Sequence, residues 1–255
     1  MIAEARILPD ISDRTYSIEI AKSEEEIQQA LKLRYEVFYK ELDRKFSEND
    51  SIDRDAYDDQ CHHLIVKKNS DQSIIGTYRL QTNELASKGA GFYSEKYYRL
   101  DSLPDEVLTL GFEVGRACID AKHRNGRVLF LLWKGFAGYL THFNKKYLFG
   151  TLGIEEKNRA AAYAMYDKLQ AEGHIHRDVQ AEVREEFALK RYSEIHTNGK
   201  SALDESPLLR NYLEIGCKVV SAPAYIKELN MLHLMVLLNV DTISPKVRRM
   251  FFSES

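Results

Sequence analysis

The sequence predicts an α/β fold in which helices flank a central, twisted, mixed β-sheet. Residues 108–119 read as a central strand, 127–143 as a helix that is apolar on nearly all sides, and 147–154 as a continuous apolar run. A run of the last kind is typical of a strand buried on both faces, and a helix of that kind packs flat on a sheet. A further helix over 158–172, ended by Gly173, completes the strand and helix alternation.

The first helix is predicted to begin after Ser23, which can cap it, with Glu26 returning a hydrogen bond from three residues on. The helix should run to about Leu42. Its apolar stripe is interrupted by Arg34, which precedes Phe38 on the same face. A cation on a core-facing stripe predicts a carboxylate partner.

An acidic loop over 43–60 separates this helix from two short strands, 62–68 and 74–81. The five polar residues between the strands are typical of a hairpin turn. In the second strand Arg79 lies on the same face as Thr77, so it is expected to project with that face.

The region 174–206 is polar and charged, and we interpret it as a helical insertion or lid. A helix at 208–215, stopped by Gly216, and two strands at 218–222 and 231–239 complete the fold. The prediction is therefore a single domain over 1–255, with its insertion before the last helix and strands.

The bulk composition excludes several classes of protein. A net charge of −3 gives no general attraction to nucleic acid. The three cysteines are odd in number and form no CxxC pair, which favours a reducing compartment. No leader and no apolar run of roughly 20 residues is found. We expect a cytoplasmic protein without a metal site. Contact with the inner membrane surface is left open, because 246–252 mixes cations with an apolar pair.

The predicted central strand carries both an acid, Glu113, and a base, Arg116. Taking either charge out of water costs several kcal/mol unless it is paired or used. Gly111 and Gly115 on either side of Glu113 would let another molecule approach. This combination predicts an active site, although a structural ion pair between Glu113 and an arginine is an open alternative.

Several groups of residues follow the order seen in one branch of the GNAT acyltransferase superfamily. They are Leu33-Arg34-Tyr35-Glu36-Val37-Phe38, Asp53-Arg54-Asp55-Ala56-Tyr57-Asp58 with Cys61 and His63, Gly76-Thr77-Tyr78-Arg79-Leu80, and Phe112-Glu113-Val114-Gly115-Arg116. The chain resembles acyl-homoserine-lactone synthases, long-chain N-acyl amino acid synthases and hemolysin-like ornithine-lipid N-acyltransferases. Pro207-Leu208-Leu209-Arg210 favours the ornithine-lipid subgroup.

The resemblance implies a GNAT-like fold and an N-acyltransferase. Such an enzyme moves a long-chain fatty acyl group from the phosphopantetheine thioester of acyl carrier protein, or from acyl-coenzyme A, to an amine. The acceptor would be ornithine, glycine or a similar amino acid, and the product an N-acyl amino acid or lyso-aminolipid. No bound cofactor is implied.

The resemblance also implies roles for individual residues. Glu113 would be the general base, with Arg116 beside it if the strand is bulged. The substrate-binding cluster would comprise Arg34, Phe38, Asp55, Asp58 and Arg79.

The acyl-carrier or phosphopantetheine site is expected where the helix after the central strand begins, at Lys122, Arg124, Asn125, Gly126 and Arg127. One glycine with several cations suits a phosphopantetheine arm on an acidic protein better than free coenzyme A. Two alternatives stay open, a coenzyme-A-dependent acetyltransferase and a non-catalytic module that binds acyl chains or carrier protein. His233 replaces an acid that the ornithine-lipid pattern has at this position. The identity of the amine substrate is therefore left open.

Overall fold

The computed structural model describes residues 6–41, 51–155, 161–190 and 206–252. Within those residues the chain is a mixed α/β protein with seven α-helices and mostly antiparallel strand pairing, which confirms the predicted fold class. The helices are α1 Glu24–Tyr35, α2 Asn83–Ala86, α3 Asp105–Thr109, α4 Arg127–His142, α5 Ala161–Ala171, α6 Pro207–Ile215 and α7 Pro245–Phe252.

The strands are short at the edges and long in the centre. They are β1 Ile11–Ser12, β2 Tyr16–Ile20, β3 His62–Lys68, β4 Ile74–Thr82, β5 Tyr98–Arg99, β6 Gly111–Ile119, β7 Tyr147–Glu155, β8 Glu182–Val183, β9 Lys218–Val219, β10 Ala224–Ile226 and β11 Met231–Asn239. The chain folds into two compact units. The first comprises Met1–Gly91, Val114–Lys145 and Arg249–Ser255, and the second comprises Phe92–Glu113 and Lys146–Arg248.

In the first unit the strand order is β1-β2-β3-β4 followed by the later part of β6, and β1 to β4 pair antiparallel. The side chains of β3 alternate between two helices. Leu64 faces α4, where a Cβ on Gly135 would come within 3.0 Å of it, so the glycine permits this close packing. The next residue, Ile65, joins Ala30 of α1 in a buried cluster on the other face.

In the second unit β7 pairs antiparallel with β11 along the whole length of both strands, from Tyr147 opposite Asn239 to Glu155 opposite Met231. The beginning of β6 pairs with β7 in parallel over three residues only, Gly111 to Glu113. Strands β9 and β10 both pair with β11. The continuous apolar run predicted for β7 is therefore a strand with partners inside a sheet.

The elements differ from the sequence predictions at four places. The central strand begins at Gly111, because residues 105–109 form α3 and the Leu110 amide donates to the Glu106 carbonyl. The predicted strand 218–222 is only two residues long, and β10 was not predicted. The first helix changes at Glu36 into a π-helix that extends to Glu41, and its predicted end at Leu42 lies outside the described residues.

The predicted insertion, 174–206, is described only over 174–190 and at 206. Its described part contains β8, which pairs with β5, and a 3-10 helix over Glu185–Phe187. Among the helices that the structure describes, none has the length and apolar character needed to cross a bilayer.

Candidate active site

A network of three arginines and three aspartates occupies the first unit. The helix α1, the loop after it, and the strands β4 and β6 contribute its members, which are Arg34, Asp53, Asp55, Asp58, Arg79 and Arg116. Five of the six were predicted as site residues from the sequence, and the structure brings those five together. Asp53 is the additional member. The formal charges of the six side chains sum to zero.

Arg34 is the centre of this network. Its Nε donates to Asp53 at 2.6 Å, and its Nη1 and Nη2 donate to the two carboxylate oxygens of Asp58 at 2.6 and 3.2 Å. The Arg34 side chain is 1% exposed. The sequence predicted one carboxylate partner for Arg34, and the structure supplies two, both from the loop that follows α1.

The second arginine, Arg79, ties β4 to the same loop. Its Nη1 donates to Asp58 at 3.0 Å and to Asp55. The carboxylate of Asp58 also accepts the Asp55 amide at 2.8 Å, so Asp58 holds the loop backbone as well as two guanidinium groups. Such charge-assisted bonds in a buried place fix the loop geometry.

Arg116 joins the network through an unusual backbone conformation. Its φ is +53°, in the left-handed region that residues other than glycine rarely adopt. A left-handed residue inside a strand interrupts the regular alternation of side chains between the two faces. The Arg116 side chain reaches Asp55 at 2.9 Å and Asp53 at 3.3 Å. These contacts compensate local strain of about 1 to 3 kcal/mol.

Two carboxylates of the network, those of Asp58 and Asp55, are held in the charged form. Burial alone would raise the pKa of Asp58, but the hydrogen bonds and charge of Arg34 outweigh it and hold that pKa far below its usual range. Asp55 shows the same balance. Burial raises its pKa, and the charges of Arg79 and Arg116 lower it further than burial raises it.

The π-helix that follows α1 adds a tyrosine that was not predicted from the sequence. The Tyr39 hydroxyl donates to Asp53 at 2.8 Å. Burial, together with the nearby charge of Asp53, raises the pKa of Tyr39 to about 12, so the group remains a donor. The predicted substrate-binding residue Phe38 lies on the same π-helix and is half-buried. A wider helical turn of this type is frequent at functional sites.

His63 is a second residue whose part in the site was not predicted, although it belongs to the matching sequence group. Its Nε2 lies 3.0 Å from the Asp58 carbonyl oxygen, and the ring is buried in β3 opposite Arg79. Burial lowers the pKa of His63. A neutral ring donates from Nε2 and supports the loop that carries Asp58.

The predicted base, Glu113, lies in the second unit and is buried. One carboxylate oxygen accepts the Tyr93 amide at 2.8 Å, and the other accepts the Ser94 amide at 2.7 Å and the Ser94 hydroxyl. These donors belong to the start of a 3-10 helix, Tyr93–Lys96. These partners are two backbone amides and a hydroxyl, and they differ from the arginine of the ion pair that the sequence left open. No sequence pattern indicates Ser94, because its position depends on tertiary contact.

The two glycines near Glu113 differ in their surroundings. A Cβ on Gly111 would lie 2.1 Å from the Val107 carbonyl oxygen, so that glycine serves close packing. A Cβ on Gly115 would meet nothing within 4 Å among the described residues. The room expected beside the charged strand is therefore found at Gly115 and not at Gly111.

The predicted carrier-binding residues lie together at the start of α4. Gly126 has a φ of +79° and precedes the helix, and Asn125 Oδ1 accepts the Arg127 amide at 3.1 Å. Lys122 is exposed on a short 3-10 helix. Arg124 Nε donates to the Ile119 carbonyl at 2.9 Å, while Arg127 pairs with Asp13 at 2.7 Å.

Comparison with known proteins gives matches over nearly the whole chain. Residues 33–134 match a family described as acetyltransferase (GNAT) domain. An L-ornithine N(alpha)-acyltransferase of Brucella abortus is 28% identical over 90% of this chain and 86% of that protein. One of Rhodobacter capsulatus is 26% identical over 93% of this chain and 95% of that protein.

Two solved structures share the fold. The acyl-homoserine-lactone (AHL) synthase LasI is 11% identical with a TM-score of 0.51, over 94% of this chain and 98% of that one. FeeM, an N-acyl amino acid synthase from uncultured soil microbes, is 9% identical with a TM-score of 0.51 over the same shares. Residues 33–134 thus match the GNAT acetyltransferase domain, and the chain is an acyltransferase, as the resemblance predicted.

We expect Arg34→Gln to destabilise the protein strongly, by about 3 to 5 kcal/mol, because it leaves two buried carboxylates without their partner. Thermal unfolding should move down by roughly 6 °C or more. Arg54→Gln is the matched control, since the ion pairs of Arg54 are exposed, and it should change stability by less than about 1 kcal/mol. Equal melting temperatures for the two variants would contradict the central place given to Arg34.

We also expect the stability of the protein to fall in acid through Asp58. Its pKa is lowered in the folded state, so its contribution is complete above about pH 5 and is lost as the pH falls toward the folded-state value. Denaturant unfolding measured between about pH 5 and pH 3 should show a shallower pH slope for Asp58→Asn than for the wild type. Arg54→Gln should keep the wild-type slope, and an unchanged slope in Asp58→Asn would refute the assignment.

Proposed function

We propose that this chain transfers a long-chain fatty acyl group from the thioester of acyl carrier protein to the amine of an amino acid such as ornithine or glycine. The product is an N-acyl amino acid or lyso-aminolipid. The names of the Brucella and Rhodobacter relatives support N-acyl transfer to an amino acid. The observation that carries the proposal is the pattern of exposure within the arginine and aspartate network.

Only two members of the six-residue network have appreciable exposure. The side chains of Asp55 and Arg116 are 19% and 24% exposed, whereas the other four are at most 4% exposed. The accessible end of the network thus consists of one carboxylate beside one guanidinium, 2.9 Å apart. An amino acid zwitterion carries the complementary pair of charges. Its ammonium would bind Asp55 and its carboxylate would bind Arg116, for which a planar guanidinium is well suited.

The buried part of the network supports this exchange. Asp55 also forms an ion pair with Arg79, and Arg116 also forms one with Asp53. Asp55 and Arg116 would therefore each keep one partner when they bind the zwitterion. A zwitterion adds no net charge to a neutral cluster. Binding it therefore avoids the desolvation penalty that a lone cation or anion would incur.

The chemical step is direct attack without an acyl-enzyme. The neutral amine nitrogen forms a bond to the thioester carbonyl carbon, and the carbon–sulfur bond breaks as the tetrahedral adduct collapses. Glu113 accepts the proton that the nitrogen loses, and the thiolate leaves and is protonated from solvent. The donors of Tyr93 and Ser94 fix the orientation of the Glu113 carboxylate. Among the described residues, none has an atom within 4 Å of a Cβ built on Gly115, which suits the approach of an acyl thioester.

The donor is assigned to acyl carrier protein because of the cations at the start of α4. Lys122 and Arg124 are exposed there, beside the N-terminus of a 16-residue helix. A helix N-terminus favours a phosphodiester, and cations favour an acidic carrier surface. We place the reaction in the cytoplasm, in keeping with three cysteines that form no disulfide.

The proposal is tested by incubating the purified protein with palmitoyl carrier protein and a set of amines, with mass spectrometry of the products. We expect N-acyl ornithine or N-acyl glycine, and much less product from putrescine, which lacks the carboxylate. Acetyl-coenzyme A and palmitoyl-coenzyme A are tested as alternative acyl donors in parallel reactions. A preference for acetyl-coenzyme A would replace this proposal with a small-amine acetyltransferase, and no transfer from any donor would leave a binding module.

We expect Glu113→Gln to lower kcat by about 100-fold or more, because a positioned base contributes roughly 10²- to 10⁴-fold. The amide keeps an oxygen acceptor but cannot take the proton. Ser94→Ala is the matched control, since it removes a donor to Glu113 and leaves the carboxylate. It should retain most of the activity, because the Tyr93 and Ser94 amides still orient the carboxylate.

Loss of activity in Glu113→Gln together with a large drop in melting temperature would assign Glu113 a purely structural role. The same variant with wild-type stability and wild-type kcat would remove it from the chemistry. Glu113→Asp distinguishes these cases further, because it keeps a carboxylate at a shorter reach and should show partial activity.

We expect Lys122→Glu combined with Arg124→Glu to raise KM for acyl carrier protein by about tenfold or more, in a manner that salt weakens. KM for the amino acid should be nearly unchanged. Arg127 is left intact because Arg127→Glu would place a carboxylate beside Asp13. Lys88→Glu is the control, with a charge reversal at an exposed position. Equal KM values in all variants would mean that the donor binds elsewhere.

A further inference from the structure

The first unit carries an exposed apolar patch that the reaction does not use. Phe130 on α4 and Met250 on α7 are the large apolar side chains with the greatest exposure in the described chain, at 37% and 39%. The two helices meet through Phe251, whose ring lies 5.4 Å from that of Phe130 and 6.1 Å from that of Trp133. We call Phe130, Met250 and the exposed edge of Phe251 the apolar patch.

Two cations accompany this patch. Lys134 lies over the Phe130 ring with its Nζ 5.7 Å from the centroid, and the exposed Arg249 precedes Met250. The sequences of α4 and α7 contain no aspartate or glutamate over 16 and 8 residues. The chain as a whole has a net charge of −3, so the presence of cations without acids on these two helices is a local feature.

We propose that the apolar patch and its cations form a docking surface for an anionic lipid bilayer. Aromatic and apolar side chains flanked by lysine and arginine are the composition with which helices lie in a membrane interface. The patch comprises three apolar side chains, whereas each side of a stable protein interface has roughly 20–30 residues. A bilayer does not need shape complementarity, and its anionic headgroups match the cations.

This surface is independent of the proposed chemistry, since binding to vesicles is measured without any substrate. The two proposals are nevertheless compatible. A long-chain acylated product partitions into a bilayer, and a docked enzyme would release it there. A failure of vesicle binding would leave the acyltransferase proposal intact.

The experiment is co-sedimentation of the full chain with vesicles of phosphatidylglycerol and phosphatidylethanolamine, compared with pure phosphatidylcholine. We expect binding to the anionic vesicles only, weakened by salt. Phe130→Ser combined with Met250→Ser should reduce the partition coefficient by about tenfold, and Arg249→Glu by on the order of fivefold or more. Met250→Leu should bind as the wild type does, because it keeps the apolar surface, and Lys88→Glu controls for net charge.

The single tryptophan, Trp133, is buried next to Phe251, so its emission and the melting curve check that each variant is folded. Absence of wild-type binding to anionic vesicles would overturn the proposal. Undiminished binding by the folded Phe130→Ser and Met250→Ser double variant would do the same. A raised KM for carrier protein, or loss of a dimer on size exclusion, without any change in vesicle binding would reassign the patch to a protein partner.

Discussion

The contact on which the rest of the first unit depends is the pairing of Arg34 with Asp58. A guanidinium on the core face of α1 is tolerable only if the following loop returns and supplies carboxylates, and Asp53 and Asp58 do so at 2.6 Å. That return fixes the loop against β4 through Arg79. The same loop then presents Asp55 at the accessible end of the network. Burial of one charge thus determines the position of the residue proposed to bind substrate.

The left-handed backbone at Arg116 follows from the same constraint. A regular strand would direct successive side chains to alternate faces, and the φ of +53° breaks this alternation. The strain persists because the surrounding structure determines it, with Asp53 and Asp55 as fixed acceptors for the guanidinium. Because both acceptors are themselves anchored by other arginines, the conformation of Arg116 is set before any ligand binds. Such preorganisation lowers the entropic cost of ordering this side chain when the proposed substrate binds.

The sequence predicted what depends on local pattern and left out what depends on tertiary contact. The apolar run of β7, the helix α4 and the buried charge of Arg34 follow from periodicity and from the cost of burying a cation. The partners of Glu113 could not be predicted, because Ser94 lies 19 residues away in an irregular segment with no pattern of its own. Tyr39 was missed for a different reason. Its contact with Asp53 requires the wider turn of a π-helix, which sequence periodicity does not reveal.

The environment of Glu113 bears on the role proposed for it. Its carboxylate accepts two backbone amides and a hydroxyl, which hold it in one orientation, and the proposed general base needs a fixed orientation. Proton acceptance is most favourable when the nitrogen has already begun to bond to carbon, because the nitrogen has then become more acidic. Transfer late in the attack therefore suits this site better than prior deprotonation of a free ammonium. A neutral amine must then reach the thioester, and the ammonium proton of the zwitterion would leave first, to water.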